Sequence, residues 1–179
     1  MISFTADGEH VVLAADGTAA RIIADLASHL DEMLAARSAL PASGMRAEPA
    51  GLPDDPALAR LLPDMINGDV DAAHELRGLV EPSLVAMKRE NVRLVTLSLE
   101  QPGALDSATE DAWARLLTDL RLTIAARLDI ESDDDLDALA ASDQPSSVQT
   151  LAEVYTWLGG LLEHLIGTLD ARDDRKDSA

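Results

Sequence analysis

The chain has 179 residues, 33 of them acidic and 14 basic, for a formal net charge of −19, and aromatic residues make up only 2% of it. That length supports one hydrophobic core and not two comfortable domains, and a core so poor in rings must be built from Leu, Ala, Val and Ile, which suits packed helices. The charge repels phosphate backbones and anionic membrane surfaces, which disfavours direct nucleic-acid binding, and the absence of cysteine excludes disulfides, thiolate catalysis and thiol redox switches.

The N-terminus, Met1-Ile-Ser-Phe-Thr-Ala-Asp-Gly, has no basic region followed by an apolar one, and no later segment offers ~18 consecutive apolar residues. A cytoplasmic, non-membrane protein is expected. Ile2 to Thr5 and His10 to Ala14 are β-prone runs flanking Asp7-Gly8, a pair that supplies the positive φ of a tight turn. They predict a small hairpin over residues 1–15. Asp16-Gly17-Thr18 caps a first helix with an apolar face of Ile22, Ile23, Leu26, Leu30, Met33 and Leu34, ending near Leu40-Pro41. Residues 41–55 carry three prolines and two glycines and read as a flexible loop.

Asp55-Pro56 is an N-cap followed by proline in the first turn, opening a short helix from Ala57 to Leu62 that stops at Pro63. After a turn at Asn67-Gly68-Asp69, the stretch Val70 to Leu99 repeats Ala73, Leu76, Val80, Leu84, Met87, Val92, Val95 and Leu99 at helical steps. Pro82 inside it predicts a kink or a break. Ser107 or Thr109 caps the next helix, whose stripe is Trp113, Leu116, Leu117, Leu120, Ile124 and Leu128. An acidic run from Glu131 to Asp137 caps a short helix facing water. Ser146 or Ser147 starts a last helix with a wide stripe including Val148, Val154, Leu158, Leu162, Leu165 and Ile166. Residues 173–179 read as a frayed polar tail, leaving residues 1–172 as a single helical domain.

Chemistry-bearing patterns are weak. His10, His29, His74 and His164 fall on four different elements, and the fourth position after His74 is Gly78, so no zinc pair forms. Asp129 to Asp135 lacks the glycine of a calcium loop, and Ala140 stands where its glutamate belongs. Gly159, Gly160 and Gly167 follow no strand and precede no lysine, so close helix packing explains them better than a phosphate site. Ser83, Ser98 and Ser107 have no identifiable triad partners. No catalytic, cofactor or metal residues are nominated. Two groups of charges remain: Asp119, Arg121 and Arg127 on one helix, and Asp69, Arg77, Lys88, Arg89 and Arg93 on another. They read either as internal salt bridges holding helices in register or as a docking patch.

Asp55-Pro-Ala-Leu-Ala-Arg-Leu-Leu-Pro63, Asp69 with Glu75-Leu-Arg77 and Lys88, and the run from Trp113 to Leu128 together resemble an actinobacterial family of unknown function. One branch of that family is described as the actinomycete oxidative stress regulator. The resemblance implies a regulatory protein without known catalytic activity, often encoded beside an adaptor of the Clp protease. In the regulator branch it implies action with an extracytoplasmic-function sigma factor through a paired-cysteine switch, which a cysteine-free chain does not contain. Thr118-Asp119 and Ala125 also depart from the family's usual Asn-Asp and Gly.

The expectation is a mainly α single-domain bundle with the Trp113 helix at its centre and the last helix packed along it. Its function is expected to be protein–protein interaction through an exposed apolar strip with an ionic rim. Arg77, Lys88 and Arg121 are the rim nominees, and a sigma factor or a proteolysis component is the partner. A scattered-residue hydrolase and a homo-oligomeric structural protein, with a homodimer as its simplest form, are the alternatives.

Overall fold

The computed structural model describes residues 1–38, 52–63, 69–141 and 144–177. Most of the loop expected over 41–55, the Asn67-Gly68 turn and the end of the first helix near Leu40 lie outside them. The order is β1 (Ile2–Asp7), β2 (His10–Ala15), α1 (Gly17–Ser38), α2 (Pro56–Leu61), α3 (Val70–Glu100), β3 (Ala104–Leu105), α4 (Ser107–Leu128), α5 (Asp133–Ala141) and α6 (Ser146–Asp177). The fold is mainly α, with an N-terminal antiparallel hairpin.

The hairpin turns on Gly8 at φ 59°, and Asp7 pairs with His10 across it. Alternation along the strands sends Ile2, Phe4, Val11 and Leu13 inward. The two-residue β3, which sequence reading missed, pairs Leu105 with Val11 and Ala104 with Val12. Phe4 meets Trp113 edge to face at 5.3 Å between centroids, and the Thr168 hydroxyl reaches the Phe4 carbonyl oxygen at 3.4 Å. The sheet therefore lies between the start of α4 and the end of α6.

Helix α4 is the central element, with Trp113, Leu116, Leu117 and Leu120 almost wholly buried. The Trp113 indole N–H donates to Ser98 Oγ on α3 at 2.9 Å. Its N-cap is Asp106, whose carboxylate accepts from the Thr109 amide at 2.8 Å, and not Ser107 or Thr109 as expected. A carboxylate accepts that bond with assistance from the helix dipole, which gives it the advantage over a neighbouring hydroxyl. Asp129 ends the helix in the left-handed region at φ 56°.

Three other expectations are corrected. Helix α3 does not break at Pro82, the second of the two outcomes expected there; the proline and Gly78, whose carbonyl it leaves without a donor, are both exposed, so that carbonyl is not buried unpaired. Helix α6 continues to Asp177, so residues 173–177 of the expected tail are helical, with Arg172 pairing to Asp173 at 2.9 Å. Ile22, Met87 and Ile166, all placed in apolar stripes by spacing, are 39%, 40% and 45% exposed. Asp16 and Asp55 cap α1 and α2 as expected, accepting from Ala19 and from Ala57 and Leu58. The Met1 amino group also pairs with Asp16.

Candidate functional site

The three nominated rim cations point into the molecule, at three separate places. The Arg77 side chain is 4% exposed and gives one guanidinium nitrogen to both the Leu62 carbonyl and Glu81, each at 3.0 Å. Glu81 is also gripped by Arg37 through two bonds, at 2.6 and 3.2 Å, so one carboxylate ties α1 to α3 while Arg77 ties α3 to the end of α2. Burial works to raise the Glu81 carboxyl, but hydrogen bonds from Arg37 and Arg77 outweigh it and hold the group below its ordinary value.

Arg121 lies on α4 against the Tyr155 ring, 4.8 Å from its centroid, and donates to the Tyr155 hydroxyl at 3.2 Å. A Cβ atom at Gly159 would sit 3.4 Å from this guanidinium, in van der Waals contact with it. Gly160 and Gly167, expected to serve close packing as well, have nothing within 4 Å of a built Cβ. A fourth internal pair, missed in the sequence, joins Arg172 of α6 to Glu110 of α4 at 2.5 Å, with side chains 12% and 6% exposed.

Lys88 meets Asp119 at 2.7 Å, with side chains 12% and 7% exposed. Burial pushes the Asp119 carboxyl above its ordinary value, with Lys88 and then Arg115 acting against the rise. The pair forms the floor of a cavity of about 310 Å³ between α3, α4 and α6. Met87, Ala114, Leu162 and Ile166 form its walls, and the Thr118 hydroxyl beside the pair donates to the Ala114 carbonyl at 2.8 Å. Asn91 also lines this space and is 8% exposed; its side-chain nitrogen is itself shut off from solvent and has no hydrogen-bond partner among the described residues. Sequence spacing does not single out Asn91, because its position shows neither apolar periodicity nor a charge.

A second groove, of about 700 Å³, runs between α5 and α6. Leu136, Leu139, Val148, Ala152 and Trp157 supply apolar surface, while Asp137 and Glu153 stand exposed beside them. At the start of helix α5, Asp135 accepts from the Ser132 amide at 2.8 Å and from the Ser132 hydroxyl at 2.9 Å. Trp157 is only partly covered there. The signal for this groove was present in the sequence as a short amphipathic acidic helix followed by a tryptophan.

Among the described residues no three His, Cys, Asp or Glu side chains converge as a metal-holding group. His10, His29 and His164 lie on β2, α1 and α6, and the His74 side chain is outside the described set. No described helix is long and apolar enough to cross a membrane.

Residues 1–169 match a family described as "Domain of unknown function (DUF2017)". A relative from Mycobacterium leprae (strain TN), named "Putative oxidative stress regulator AosR", is 34% identical over 145 residues, covering 72% of this chain and 65% of the relative. No solved structure matches the chain.

Proposed function

The chain belongs to the DUF2017 family, and on that premise we propose that it is a non-enzymatic regulatory protein that works by binding another protein. The observation that carries this reading is the α5–α6 groove, where apolar residues including Trp157 lie open to solvent between acidic side chains. A groove of this kind receives the apolar face of an amphipathic helix, and a half-buried tryptophan is a frequent energetic anchor of such contacts. Asp137 and Glu153 select a helix with basic flanks, and the net charge of −19 steers such a partner toward the surface. The ionic rim is thus acidic, while Arg77, Lys88 and Arg121 make their contacts inside the bundle, away from it.

The name of the relative supports a regulatory role. We take the site of action to be the cytoplasm of an actinobacterium and the partner to be an extracytoplasmic-function sigma factor or a component of Clp proteolysis, the partners that the resemblance read from the sequence implies. Self-association is the weaker alternative, because two copies of so acidic a surface repel.

The test is affinity capture from the host with the wild-type chain and with an Asp137→Lys/Glu153→Lys variant, followed by mass spectrometry. The expected result is a protein recovered only by the wild type. When purified, that protein shifts the Trp157 emission to the blue; Trp113, the other tryptophan, is fully buried and contributes a constant background. Recovery of the same proteins by both baits, or binding with no change in Trp157 emission, overturns the reading.

A further inference from the structure

Met87 of α3 is 40% exposed, and its thioether sulfur accepts a hydrogen bond from the Arg115 guanidinium of α4 at 3.5 Å. A thioether is a poor acceptor for so strong a donor. Little else holds Arg115: its ion pair with Asp111 is long, at 3.9 Å, between side chains 54% and 75% exposed, and such a pair adds little to stability. Asp119, whose charge Arg115 also feels, is taken by Lys88 at 2.7 Å. A cation thus stands against a soft sulfur with most of its hydrogen-bonding capacity unused. Met87 meets solvent on one side and borders the space of about 310 Å³ between α3, α4 and α6 on the other. There is room beside it for one more atom, in contrast to a close-packed core, where an added atom forces neighbours apart.

Hydrogen peroxide is the small oxidant that suits this setting. A sulfur lone pair bonds to one peroxide oxygen as the O–O bond breaks; the departing hydroxide takes the proton from the bound oxygen and leaves as water. The sulfur loses two electrons, the peroxide gains them, and the side chain becomes a sulfoxide. That product is a far better acceptor than the thioether. Its oxygen carries partial negative charge, stands one bond length out from the sulfur, and meets a guanidinium on a long, exposed side chain that adjusts to it. Oxidation of a methionine ordinarily disrupts apolar packing, whereas here the new oxygen has a charged partner already in place.

We propose that Met87 is an oxidation site whose sulfoxide is captured by Arg115, clamping α3 to α4 at the edge of the cavity. Peroxide therefore tightens the protein at this point. The site shares no residue with the α5–α6 groove and stands whether or not a protein docks there. The closing experiment is graded hydrogen peroxide treatment of the full chain, with wild type, Met87→Leu and Arg115→Ala in parallel, followed by peptide mass mapping and thermal melts. Mapping finds one added oxygen on Met87 at the dose that oxidises Met1, which is 80% exposed. The change of Tm on treatment is taken relative to that of Met87→Leu, so that oxidation of the other methionines cancels. In the wild type this relative change is a rise of about 2–4 °C, the effect of one added hydrogen bond in a domain of this size. In Arg115→Ala, with Met87 oxidised to the same extent, it is zero or a fall. Met87 left as a thioether while Met1 is oxidised, a relative change that is zero or negative in the wild type, or a rise that persists in Arg115→Ala, each overturns the proposal.

Discussion

Replacing Lys88 by methionine keeps the aliphatic stem of the side chain and removes its charge, which leaves Asp119 buried at 7% side-chain exposure without its 2.7 Å partner. Breaking a buried pair from one side costs about 3–5 kcal/mol, because an uncompensated charge remains in the interior. In a domain of this size 1 kcal/mol moves Tm by about 2–4 °C, so melting falls by about 6–20 °C at neutral pH. The effect depends on pH with a definite sign. Burial already holds the Asp119 carboxyl above its ordinary 3.8 with Lys88 present. A carboxyl with a raised folded value binds its proton more tightly when folded, so it detracts from stability as pH rises from 3.8 through that folded value. Loss of Lys88 extends this window upward. The deficit relative to wild type is therefore full at pH 7.5 and smaller at pH 4.5, as read by urea unfolding followed by circular dichroism. The double variant Lys88→Met/Asp119→Leu recovers most of the loss, since an apolar pair of similar volume requires no desolvation of charge. A deficit below about 1 kcal/mol at pH 7.5, outside the range for a buried pair, or one equal at both pH values, refutes the reasoning.

Glu81→Gln weakens charge-assisted hydrogen bonds from Arg37 and Arg77 and costs about 1.5–3 kcal/mol at pH 7. Because the folded Glu81 value lies below the ordinary 4.5, that contribution is complete above 4.5 and fades as pH falls through the folded value; melts at pH 7 and pH 3 check that the variant and wild type converge in acid. Trp113→Ala removes the largest fully buried side chain and costs about 3–5 kcal/mol, and near-ultraviolet circular dichroism then reports loss of the Phe4 contact. Gly160→Ala and Gly167→Ala each gain up to about 1 kcal/mol of helix propensity, since nothing opposes a Cβ there. Gly159→Ala gains less, because its Cβ meets Arg121; differential scanning calorimetry of the three variants ranks them. Gly8→Ala costs roughly 1 kcal/mol at φ 59°, measured by the same method.

Local signals with a single competitor were legible in the chain. Asp7-Gly8 placed the hairpin, Asp55-Pro56 placed α2, and the spacing from Trp113 to Leu128 found the central helix. Where two chemistries compete at neighbouring positions, reading failed: Asp106 is hidden beside two hydroxyl residues that also favour caps, and a two-residue strand has no alternation to detect. Pro82 does not break α3, because its penalty depends on whether the orphaned carbonyl is exposed, a tertiary fact. The ionic network was open to two readings for the same reason. Lys88 and Asp119 are 31 residues apart, and nothing local says whether a charged face is covered by another helix. Met87 and Ile166 obey helical spacing yet line a cavity, since periodicity gives the side of a helix and not how much of that side is filled.

Placing β1 beneath α6 has a consequence for synthesis on the ribosome. The bond from Thr168 to the Phe4 carbonyl spans 164 residues, and contacts this distant form late because loop closure must precede them. While translation proceeds, Ile2, Phe4, Val11 and Leu13 are made well before α6, the helix that packs on β1. A nascent chain stalled before residue 146 lacks α6 and leaves this apolar sheet face uncovered on that side, the kind of surface that chaperones bind.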